Sequence, residues 1–80
     1  MRDEARMCEL LMSFLMDPCS VGATRALDLG QYDSRWVVDV WDPIEESGYV
    51  VGGSVWRVTE AGLKFIKTYK EKQSWGTEAK

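Results

Sequence analysis

The sequence predicts a small, mostly helical α+β domain, and three observations carry that prediction. Apolar residues recur at three- and four-residue steps from Met7 to Leu15, and two β-prone runs at 49–51 and 55–58 flank Gly52-Gly53-Ser54. Thr59-Glu60 then opens a further helix. Eighty residues suffice for one compact core, and 45% hydrophobic with 29% charged residues is the balance of a globular chain rather than a disordered one. Four tryptophans are many for this length, so some rings are expected to anchor the core and others to mark an interface.

The first helix is expected over residues 3–16. Met7, Leu10, Leu11, Phe14 and Leu15 form its apolar stripe, Asp3 and Glu4 suit its positive N-terminal end, and Asp17-Pro18 stops it. A short second helix follows over 21–29, with Ser20 as candidate N-cap and Ala23, Ala26 and Leu27 as its buried side. Gly30 is its left-handed stop.

Asp33-Ser34 opens the third element, 35–47, in which Val37, Val40, Trp41 and Ile44 fall on one helical face and Gly48 ends the run. Pro43 interrupts it, because a helical proline cannot donate to the carbonyl of Asp39, a loss of ~3 kcal/mol or more. The alternative parse makes Asp42 an N-cap and Pro43 the first residue of a very short helix, with 37–41 extended. One kinked helix is preferred, since its stripe continues in phase across the proline, but both parses stand.

The glycines between the two β-prone runs permit a tight hairpin. Trp56 and Val58 are expected to face the core beside Leu63 or Ile66. Thr59 caps the last helix, where Gly62 costs ~1 kcal/mol relative to alanine and so signals close packing. Periodicity ends near Lys72, giving one domain over 1–72 and a polar, frayed tail over 73–80 that contains Trp75.

Several function classes are disfavoured. The chain has no histidine, which removes the commonest general base and most zinc sites, and Asp39, Asp42, Glu45 and Glu46 read as a solvated helix face rather than a catalytic carboxylate pair. Neither an enzyme nor a cofactor or metal is expected. Cys8 and Cys19 fit no zinc or redox spacing and read as free thiols of a reducing compartment. The apolar run at 10–16 is too short for a bilayer and lacks signal-peptide flanks, so a cytoplasmic protein without a membrane partner is expected. Charge is uneven: residues 36–62 hold one arginine against five acids, a net of −4, while 63–80 hold five lysines against two acids, a net of +3.

The run I-E-E-S-G-Y-V from Ile44, the glycine turn, and W-R-V-T-E-A-G-L-K-F-I from Trp56 resemble the winged-helix (winged helix-turn-helix) DNA-binding family of small transcriptional regulators. The V-T-E-A-G segment from Val58 is the most specific part, and the resemblance covers roughly residues 20–70. It implies three helices, a two-stranded β-wing and a C-terminal helix, with the third helix in the major groove and the wing tip on the backbone. The contact residues it implies are Thr24, Arg25, Ser34, Arg35, Gly53, Ser54 and Arg57, with Lys64, Lys67, Lys70 and Lys72 as a basic tail. The outward positions of the third helix depart from that pattern, since Arg35 is their only cation. A second function class therefore stands beside duplex DNA: a protein-interaction module whose contact surface is Trp36, Val38, Asp39 and Asp42, taking a basic partner or a second copy of the chain. In the competing arrangement, Pro43 turns the helix so that Trp36 packs onto the domain.

Overall fold

The computed structural model describes residues 2–78. Its architecture is α+β and mostly helical: α1 (Glu4–Met16), α2 (Gly22–Asp28), a π-helical turn (Val37–Trp41) running directly into α3 (Asp42–Glu46), then β1 (Val50–Val51), β2 (Arg57–Val58) and α4 (Glu60–Glu78). The strands pair antiparallel, Val50 with Val58 and Val51 with Arg57. Among the described residues no helix is long and apolar enough to cross a membrane.

Helix α1 is the central element and packs against α4, β2 and the π turn. Its stripe works as the spacing requires, with Met7, Leu10, Leu11 and Phe14 buried, while Leu15 is left half exposed. The Asp3 carboxylate caps the helix by accepting from the Arg6 amide at 3.2 Å and from the Arg6 guanidinium at 2.7 Å. That guanidinium and then the amide hold the Asp3 carboxyl below the usual carboxylate range. A carboxyl depressed by folding stabilises the fold above its unfolded-state pKa, and the contribution is lost as pH falls through the lower folded value. Asp3→Asn keeps a capping oxygen and removes the charge. In urea melts it should be less stable than the parent at neutral pH, with the gap closing below about pH 4. A gap independent of pH would dissociate the charge from the cap.

At its other end, α1 stops where Asp17 turns extended before Pro18. Helix α2 begins at Gly22 with Val21 at the N-cap and no side-chain cap, so Ser20 does not play that part. Both glycine stops form as expected. Gly30 and Gly48 have φ of 71° and 70°, and each closes its helix with the paired bonds of a Schellman motif: Gly30 to Leu27 and Gln31 to Ala26, then Gly48 to Glu45 and Tyr49 to Ile44.

The 35–47 region is one continuous helical run from Trp36 to Glu46, not a strand plus a short helix. The proline is accommodated by widening the turn before it, where the Asp42 amide reaches back five residues to the Val37 carbonyl. The Asp39 carbonyl, which Pro43 cannot serve, accepts instead from the Asp3 amide at 2.8 Å. The wider turn also moves the buried stripe. A π turn holds more than the 3.6 residues of an α turn, so positions four apart stay in line, and Trp36, Val40 and Ile44 form the inner face. Val37, expected inside, is 44% exposed. Leu27 is also corrected, because the short α2 buries Gly22 and Ala26 and turns Leu27 to solvent, while Leu29 packs on the core in its place.

Trp56 and Val58 pack against the core as expected, with Ile66 buried and Leu63 outside. Thr59 caps α4 by accepting from the Gly62 amide and donates its hydroxyl to the Gly48 carbonyl at 2.6 Å. Helix α4 runs on past Lys72 to Glu78; the tail residues 79–80 and the Trp75 side chain lie outside what is described.

Candidate nucleic-acid interface

Three tryptophans join the elements of the candidate interface. Trp41 stacks on Trp36 with centroids 5.7 Å apart, meets Trp56 edge-on at 5.1 Å and Phe14 edge-on at 6.4 Å. Its ring also lies over the backbone of α2, where a Cβ at Gly22 would come within 2.7 Å of it. One side chain on the third helix therefore holds α2, α1 and the base of the hairpin together, and aromatic pairs of this geometry each add ~0.5–1.5 kcal/mol beyond their burial. Trp56 extends the joint in two directions. Its amide donates to the Cys19 carbonyl at 2.8 Å, forming an isolated antiparallel bridge between the α1–α2 loop and the hairpin, and its ring covers Gly52 at the start of the loop.

The predicted contact residues divide into two groups. Thr24 on α2, Ser34 before the third helix, Gly53 and Ser54 in the hairpin loop, and Arg57 on β2 are all exposed. Arg35 is exposed too, although its guanidinium sits 3.2 Å from the Asp39 carboxylate one turn on. Arg25 belongs elsewhere. It donates to the Ser13 carbonyl at 2.9 Å and the Asp17 carbonyl at 2.7 Å, meets the Asp17 carboxylate at 3.3 Å and lies over the Phe14 ring. The last turn of α1 has no basic residue of its own. Arg25 serves the Asp17 carbonyl, adds a second donor to the Ser13 carbonyl, which already accepts the Asp17 amide, and places a cation at the negative end of the helix, so its guanidinium is committed to holding the end of α1.

Trp36 is the larger correction. It is 2% exposed, its indole N–H donates to the Gln31 side-chain oxygen at 3.0 Å, and Tyr32 leans on its ring. It cannot serve as the exposed aromatic of a protein-interaction surface, because the π turn places it on the inner face with Val40 and Ile44. Of the remaining residues proposed for that surface, Val38 is 49% exposed, Asp42 is half-buried and Asp39 is largely covered with its Arg35 partner.

Sequence reasoning missed the polar network beneath this face. Gln31 is buried, and its amide nitrogen donates to Glu9 at 2.8 Å while its oxygen takes the Trp36 proton. Arg6 donates to the Gln31 carbonyl at 2.8 Å and pairs with Asp33 at 2.9 Å. A glutamine three residues beyond a helix end carries no sequence signal for this role, since the partners lie 22 and 25 positions away on α1. The network fixes the turn that launches the third helix. No buried side-chain polar atom among the described residues lacks a partner, so the face is rigidly supported. Both cysteines are free thiols, and burial pushes the Cys8 thiol up, away from reactivity. Compared with family models, with curated proteins and with solved structures, the chain has no significant match.

Proposed function

We propose that this chain is a duplex-DNA-binding protein of winged-helix type, acting as a small transcriptional regulator, with Thr24, Ser34, Arg35, Gly53, Ser54 and Arg57 as its contact residues. The observation that carries the reading is the Trp41 joint. It sets a helix pair, α2 and the third helix, beside a hairpin, and ties the α1–α2 loop to that hairpin through the Cys19–Trp56 bridge. Function does not follow from such a layout alone, so the charges set the expected strength. With Arg25 engaged inside the fold, Arg35 and Arg57 are the cations left in the contact set, and the third helix also carries the acids Asp42, Glu45 and Glu46.

Binding should accordingly be weak and largely insensitive to sequence. Two phosphate contacts give a slope of about −2 in log K against log salt. Anisotropy titrations of a labelled duplex at several salt concentrations measure this slope, and Arg57→Ala or Arg35→Ala should each flatten it by about one. A chain that binds no duplex at low salt, mixed genomic fragments included, is not a DNA-binding protein.

The exposure of Val37 and Val38 favours a second reading, a protein-interaction module on the same scaffold. Trp36 has no part in it.

A further inference from the structure

We propose that Cys8 and Met12 form a binding site for a soft monovalent cation, copper(I), in the open groove between α1 and α4. This does not rest on duplex binding. The two residues stand one helical turn apart on the same face of α1, and the Cys8 Sγ donates to the Met12 Sδ at 3.8 Å. Two sulfurs bound to one ion at about 2.3 Å, with a tetrahedral or trigonal angle between them, lie about 3.8–4.0 Å apart. The pair is therefore spaced as one edge of such a coordination shell. Both side chains line a groove of about 460 Å³, whose opposite wall carries Tyr69 and Lys70 of α4, so an ion reaches both sulfurs from solvent.

Charge selects the ion. Burial holds the Cys8 thiol protonated, because a bare thiolate there is poorly solvated. A bound cation removes that penalty. The Cys8 S–H bond breaks, the proton passes to water and the sulfur electron pair bonds to the ion, while the Met12 thioether adds a lone pair and loses nothing. A monovalent ion leaves thiolate and metal neutral together, whereas a divalent ion leaves a net positive charge in a buried setting. Glu9 and Lys70, the other charged groups lining the groove, are opposite in sign and do not alter this balance. Thiolate and thioether are soft donors that suit copper(I), while a structural zinc ion takes four ligands and meets two sulfurs here. Met16 lines the same groove one turn beyond Met12 and is 87% exposed. About 12 Å of helix separates it from Cys8, so it stands at the mouth of the groove, outside the coordination shell.

The test is a titration of the full chain with copper(I) in oxygen-free buffer, in competition with a weak coloured copper(I) chelator, with the folding of each variant checked by circular dichroism. The parent should take up one equivalent, release about one proton per ion and melt at a higher temperature when loaded. Cys8→Ser should abolish uptake. Met12→Leu, which conserves volume in the core, should fold as the parent does and bind at least about tenfold more weakly. It decides the matter by itself should Cys8→Ser not fold. Cys19→Ser, which removes the other free thiol, and Met16→Leu should each stay within about twofold of the parent. Zinc(II) offered in place of copper(I) should bind at least about a hundredfold more weakly. A parent that takes no copper from the chelator, a Met12→Leu variant that binds as the parent does, a loss on Met16→Leu as large as on Met12→Leu, uptake that follows Cys19 instead of Cys8, or a preference for zinc would each overturn the proposal.

Discussion

Trp36→Ala should destabilise the domain by ~3–5 kcal/mol, the usual cost of emptying the site of a large buried aromatic side chain. A chain of this length has roughly 4–12 kcal/mol of total stability, so the variant is expected to lose a large fraction of it. Two losses combine. The cavity opens against Trp41 and Tyr32, which stack and lean on the ring, and the buried Gln31 oxygen loses its donor. Trp36→Phe separates them, because it fills most of the space and omits the N–H. It should cost clearly less than Trp36→Ala, with about 1–3 kcal/mol assignable to the unpaired Gln31 oxygen. Urea denaturation followed by far-ultraviolet circular dichroism measures both. A Trp36→Ala protein as stable as the parent would place the ring outside the core and return it to the surface of the third helix.

Gly62→Ala sets two effects of opposite sign against each other. In the first turn of an ordinary exposed helix the substitution would stabilise by ~1 kcal/mol through propensity alone. Here an added Cβ would collide with the Tyr49 carbonyl oxygen and come within 2.6 Å of a Val58 methyl group. The carbonyl has little freedom to yield, because it accepts the Thr59 amide at 2.9 Å, and shifting it would loosen the cap of α4 and the end of the hairpin together. Forcing a methyl into packed structure costs ~1–3 kcal/mol, more where backbone must move, so the clash outweighs the propensity and net destabilisation is expected. Ala61→Gly, one position earlier on the exposed side of the same turn, provides the reference: it should lose only ~1 kcal/mol. An increase in the urea midpoint for Gly62→Ala would show that the α4–hairpin contact opens readily.

The sequence by itself determined most of the elements and several of their ends. Asp17-Pro18 stops α1, Gly30 and Gly48 close their helices at positive φ, Thr59 starts α4, and the hairpin lies between 49 and 58. These are legible because each depends on residues within about one turn: a ring that restricts its neighbour, a missing Cβ, a hydroxyl within reach of an amide. Even the closeness of Gly62 to its neighbours was readable, since a glycine in a helix is costly without a reason.

Which face each element turns inward, and which charged groups remain free, was decided only by the tertiary structure. Trp36 and Val37 exchange roles because the π turn at Pro43 keeps residues four apart in line, and that turn is supported by an amide from Asp3, 36 positions away in the chain. Arg25 looks like any helix-surface cation in sequence, yet the end of α1 lies above it and claims its guanidinium. Of the candidate site, the exposed Thr24, Ser34, Arg35, Gly53, Ser54 and Arg57 were legible because polar and glycine positions face water by default. Arg25 and Trp36 were not, because burial and pairing depend on the partner that packs against a residue, and local sequence does not name that partner.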